Sequence, residues 1–281
     1  MKAYLTRKIF PDNGKVDAVF YFWTDNPIHY FGTEDTSKMW IHEDKKGYMQ
    51  LVPDGYFMGA DWENNSFYYC RHISKAEVLP YRIIPLIQLW SKRRGMQVLH
   101  GAVVGVNGRG VLLAAHGGGG KSTLSVSCLL AGMDFVADDY FLVNAHGPLY
   151  AMPIETIVKL NADMMEQLTP AMPIVWTDIS RNNKKIMDAS GYEFSKALSI
   201  EAIICPKIEN CDEPQMTASE PMKVLMTLIH STLIQKMASD YTKEAHAIFT
   251  RFFGLPTYEL RLSRDLEKNV KILRTFIEGS L

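Results

Sequence analysis

Aromatic residues crowd the first 78 positions, among them Phe20, Tyr21, Phe22, Trp23, Trp40, Tyr48, Phe57, Trp62, Phe67 and Tyr69. Turn signals at Asp12-Asn13-Gly14, Asp25-Asn26-Pro27 and Pro53-Asp54-Gly55 cut them into short runs, which predicts small antiparallel strands. The aromatic stripe reads as the packed face of a small sheet, with a peptide-binding face as the other use of such a surface. Over 79–92 the period changes. Leu79, Ile83, Leu86, Ile87 and Trp90 recur at helical spacing before Arg93-Arg94-Gly95, so an amphipathic helix opens a second region spanning 79–281, with Pro85 near its first turns.

Two apolar runs, 98–106 and 110–115, flank Asn107-Gly108, the pair favoured in a two-residue hairpin turn. That register sets Val106 opposite Arg109 and His100 opposite Ala115. A helix over 121–131 closed by Gly132, a strand over 133–137 and a hairpin of 140–143 with 149–152 follow. Residues 160–168 read as helix and 170–196 as loop, with Arg181, Lys184 and Lys185 either solvated or placed to meet an anion. A strand over 200–205 is expected to stop at Pro206, a polar loop to fill 209–220, and two helices to occupy 222–253. A last strand over 258–262 and a helix from Asp265 complete a mixed α/β chain.

Between strand and helix stand Ala115, His116, Gly117, Gly118, Gly119, Gly120, Lys121, Ser122 and Thr123. Residues without Cβ let backbone N–H groups converge on an anion, and the helix N-terminus adds partial positive charge. Lys121 then reaches the β- and γ-phosphates and the Ser122 hydroxyl ligates Mg²⁺. Ala115 replaces the first glycine of the strict pattern, where the turn merely begins. Asp138 and Asp139 end the next strand, where metal-side carboxylates belong, and as strand neighbours they face opposite ways. One is suited to the metal and the other to accepting a proton from an incoming hydroxyl.

Composition narrows this little further. At 47% apolar residues the 281-residue chain can fill a large core, and its net charge of −1 gives no sign of nucleic-acid binding. Cys70, Cys128, Cys205 and Cys211 lack zinc-ligand spacing and read as reduced thiols of a cytoplasmic protein. No signal peptide is expected at the N-terminus, and no run reaches the ~18 apolar residues of a membrane span.

The combination of Arg94-Gly95, His100-Gly101, the hairpin, Gly120 to Leu124, Ala137-Asp138-Asp139 and the late Pro256 with its alternating strand resembles HPr kinase/phosphorylase. The likeness is nearest to HPr-kinase-related proteins of bacterial gene clusters, some of which phosphorylate a serine of a precursor peptide. ATP-dependent phosphoenolpyruvate carboxykinase shares the fold more distantly. It implies a phosphate-loop core of mixed sheet and helices, ATP and Mg²⁺ as cofactors, and transfer of the γ-phosphoryl to a serine of a peptide or small protein. Lys121 would hold phosphates, Ser122 and Asp138 the metal, His100 the charge network, and Asp139 would be the general base. A homo-oligomer is left open. Gly117 stands where HPr kinase has serine, which counts against the reverse dephosphorylation, and the absence of a long glycine-rich segment after the Asp pair counts against HPr as substrate. Two other classes share the same loop: a nucleotide-binding regulatory protein without transfer, and a small-molecule kinase or carboxykinase-like enzyme.

Overall fold

The structure is a computed structural model describing residues 18–23, 40–52, 56–71, 80–169, 171–178, 183–233 and 243–280. Among the described residues, the chain forms three sheets and six helices in two compact units, one within 10–94 and one within 95–281. The turn signals of the aromatic region, Leu79 and Arg181 lie outside them.

In the smaller unit, β1 (Val19–Trp23), β2 (Trp40–Glu43), β3 (Gly47–Val52), β4 (Tyr56–Asp61) and β5 (Ser66–Arg71) form one sheet in the order β1-β5-β4-β3-β2. It is antiparallel except where β1 runs parallel to β5. Alternation sends Phe57 and Cys70 inwards with Leu51, while Tyr21 and Tyr68 stack at 5.2 Å. Helix α1 (Pro80–Lys92), which the sequence reading grouped with the second region, packs on β4 and β5 and belongs to this unit. Its buried stripe includes Ile84, Leu86, Ile87 and Trp90.

The larger unit is organised by a bent two-stranded ribbon. One side is β6 (Met96–His100) and β7 (Ala102–Val106); the other is β9 (Asp134–Ala137) and β10 (Tyr140–Asn144). His100 pairs with Tyr140 and Val103 with Ala137, so one antiparallel register crosses the bend, and the Gly101 N–H donates to the Asp139 carbonyl at 2.9 Å. Glycine leaves room at the bend, since a Cβ there would lie 2.7 Å from Leu112 Cδ1 and 3.2 Å from the Leu113 carbonyl oxygen, and the Leu112 side chain would have to move. The hairpin of β7 with β8 (Arg109–Leu113) turns at Asn107 and Gly108, both at positive φ, with Val106 opposite Arg109 as expected. His100, however, lies on β6 beyond the break at Gly101. It faces Tyr140, not Ala115, because the apolar run 98–106 is two strands with different partners.

The main sheet runs β6-β10-β11-β15-β8-β7-β9, with β11 at Tyr150–Pro153 and β15 at Leu198–Cys211. Strand β17 (Thr257–Ser263) lies parallel to β15 and carries the edge strand β16 (Gln215–Ala218). Strand β15 passes through Pro206 and did not stop there. The Ala114 N–H donates to the Ile204 carbonyl, and Pro206, two residues on, turns its backbone the same way after β8 has ended, so its missing N–H removes no ladder bond. The stretch expected as loop over 209–220 is instead the end of β15 and β16.

Helices cover both faces. On one, α2 (Lys121–Leu130) and α6 (Leu266–Ser280) bury Leu124, Cys128, Leu273 and Ile277; on the other, α4 (Pro221–Leu233) and α5 (Lys243–Phe253) bury Val224, Leu228, Phe249 and Phe252. A third sheet, in the order β12-β14-β13, is built from β12 (Ile157–Leu160), β13 (Ile174–Asp178) and β14 (Lys184–Asp188), with the short helix α3 (Ala162–Leu168) between β12 and β13. Its strands replace the loop expected over 170–196. The polar Lys184-Lys185 hides the signal, while Ile186 and Met187 behind them are fully buried. All four cysteines are free thiols, with Cys70 and Cys128 buried.

Candidate active site

The chain leaves β8 at Leu113, forms the glycine loop and enters α2 at Lys121. Gly118 and Gly120 have φ of 85° and 88°, a region open to glycine and strained for other residues. At Gly120 a Cβ would also lie 2.5 Å from Leu262 Cδ1 and force that side chain to move, whereas Gly117 and Gly118 face open space. Gly120 caps α2 without a side chain, so no side-chain acceptor from that position covers the first-turn N–H groups. Ala115 is buried, and the exposed His116 ring meets His230 edge-on at 5.5 Å. Ser122 and Thr123 sit half-buried in the first turn of α2.

Lys121 is buried and donates to the Asp138 carbonyl at 2.7 Å, which ties the start of α2 to the bend between β9 and β10. Burial pulls its ammonium below the ordinary lysine range while Asp138 and Asp139 pull it back. The two carboxylates stand in the bend, outside both strands, and share Lys159 as a partner, which meets one through its backbone and the other through its side chain. Asp138 is 1% exposed and accepts from the Ser125 hydroxyl at 2.8 Å and the Lys159 N–H at 3.0 Å. Asp139 accepts from His100 Nε2 at 3.0 Å on one oxygen and from Lys159 Nζ on the other. A carboxylate only accepts, so His100 carries its proton on Nε2.

Charge in this cluster is strongly coupled. Burial works to raise the Asp139 carboxyl, but Lys159, His100 and Lys121 outweigh it and hold it well below the usual range. Burial and the Lys121 charge keep His100 below the usual histidine value, so the ring is neutral near pH 7. Close by, the buried Glu155 carboxyl is pushed up to about 8, chiefly by burial.

The structure therefore gathers Lys121, Asp138, Asp139 and His100 in one place. It adds Lys159, Ser125 and Glu155, which the sequence reading missed. A lone lysine in the apolar run Ile157-Val158-Lys159-Leu160 was the available signal, since an unpaired charge does not stay inside. Lys184 acts electrostatically on Lys121, and Lys185 donates to Thr177 Oγ1 at 3.1 Å.

The donors suit a hard cation. A hydroxyl and a carboxylate supply oxygen, and Mg²⁺ takes few protein ligands while keeping water and phosphate oxygens. Among the described residues no group of three or more His, Cys, Asp or Glu could hold a metal ion. Likewise, no described helix is long and apolar enough to cross a membrane.

No protein-family model matches the chain, and neither does any curated protein. Among solved structures, the Hpr(Ser) kinase/phosphatase from Coxiella burnetii is similar at a TM-score of 0.34 and 10% identity, covering 66% of this chain and 95% of that one.

Proposed function

We propose that this protein is an ATP- and Mg²⁺-dependent phosphotransferase of the HPr-kinase-like type, which moves the γ-phosphoryl of ATP to a serine hydroxyl of a peptide or small protein. The observation that carries the reading is the meeting of Lys121, from the start of α2, with both aspartates of the ribbon bend. Phosphate anchor and proton acceptor thus share one small volume, as phosphoryl transfer requires.

In this reading the glycine-loop N–H groups and Lys121 hold the phosphates. Ser122 and Asp138 would hold Mg²⁺, which would supply neutralisation of phosphate charge when bound. Asp139 takes the proton of the acceptor hydroxyl, and His100 and Lys159 fix its orientation. An Asp139 held this acidic is a weak base until its counter-charges find other anions. Phosphate oxygens that draw on Lys121 ease only the smallest part of that restraint, since Lys159 and His100 contribute more of it and stay in place.

The test is incubation of purified protein with ATP, Mg²⁺ and candidate serine peptides, followed by mass spectrometry. A phosphoserine product from the parent, absent with Lys121→Ala, is the expected result. Asp139→Asn should bind ATP and transfer nothing; equal product from Asp139→Asn and the parent would sink the base assignment.

A further inference from the structure

Beside the glycine loop lies a cavity of about 520 Å³ that the proposed chemistry does not use. Its walls are Ala115, His116 and Gly119 of the loop, Pro206 of β15, and Val224 and Met226 of α4. The volume falls in the ~300–1,000 Å³ range of small-molecule sites. One wall carries a fixed charge. Glu259 on β17 receives Lys207 Nζ at 2.6 Å and Lys223 Nζ at 3.4 Å, and its side chain is 12% exposed.

Position relative to the loop argues for an occupant. In the strand order, β8 has β15 and then β17 on one flank, and β7 and then β9 on the other. The cavity opens on the β15 and β17 flank and the Asp pair on the β9 flank, so a chain of phosphates on the loop has its reactive end at Asp139 and its other end at the cavity mouth. The geometry points to this cavity as the ribonucleoside subsite. The base lies between Pro206, Val224 and Met226, and the Glu259 carboxylate accepts from the ribose hydroxyls, a role acidic side chains fill in other nucleotide sites. This rests on the phosphate-loop reading above.

Calorimetric titration with Mg²⁺ present, using ATP, 2′-deoxy-ATP and inorganic tripolyphosphate, tests it. Met226→Trp, at a half-exposed rim position, fills the mouth and should weaken ATP at least about tenfold while leaving tripolyphosphate unchanged. Glu259→Gln, which keeps the side-chain shape, should erase a parental preference for ATP over 2′-deoxy-ATP, and it carries the test alone if Met226→Trp does not fold. Unchanged ATP affinity in both variants, or a parent that takes both nucleotides equally, overturns the subsite and leaves the phosphate reading standing. A parent that binds neither ATP nor tripolyphosphate overturns both.

Discussion

Asp139 is held by a histidine and a lysine at once, and the lysine is the more consequential partner. Lys159 is 7% exposed and its ammonium sits on the Asp139 carboxylate, so Lys159→Met strands a buried charge. Breaking such a pair costs about 3–5 kcal/mol, and His100 offsets part of it, so a loss of about 3 kcal/mol in chemical denaturation is expected. A loss under about 1 kcal/mol would mean water already reaches the pair. Glu155 gives a pH signature. Its folded value of about 8 exceeds the unfolded 4.5, so between them the folded state keeps a proton that the unfolded chain releases. Stability from this group is complete below the lower value and is lost as pH rises to the upper. Glu155→Gln should therefore flatten the fall in stability between about pH 5 and about pH 8, by up to about 4 kcal/mol. Parallel stability–pH curves for parent and variant would contradict it.

At the scale of elements, the local signals were legible and the long-range ones were not. The hairpin at Asn107-Gly108, the glycine loop and the stop of α2 at Gly132 depend on backbone conformations that only a few residue types adopt, and each was read from neighbouring residues alone. The expected partner of His100 is wrong, because its companion strand lies forty positions away and no turn announces it. Pro206 misled for the opposite reason. Its chemistry ends most strands, and only the end of β8 beside it makes it harmless. The bend itself is testable through Gly101→Ala. The new methyl must displace the Leu112 side chain and crowd the Leu113 carbonyl, and a destabilisation of about 1–3 kcal/mol is expected. A variant as stable as the parent would show that the ribbon has room to spare.

Across the molecule, each unit buries its own apolar set: Phe57, Phe67 and Leu86 in the smaller, and the two helix-covered faces of the main sheet in the larger. Scanning calorimetry should resolve two transitions, and saturating ATP with Mg²⁺ at about a hundred times Kd should stabilise only the larger unit, by about 2.7 kcal/mol. A nucleotide shift in both transitions would refute the assignment of binding to one unit. Lys159 and Glu155 show why composition and spacing could not complete the site, since both come from the β12 region and approach the ribbon only through tertiary packing. The ribbon has one more consequence. Asp138 and Asp139 are the whole of its crease on one side and Gly101 on the other, closed by the His100–Tyr140 and Val103–Ala137 pairs, and the ladder next breaks register only between Val103 and Val104. Ordering these side chains is settled when the protein folds, and little conformational freedom is left for a ligand to freeze.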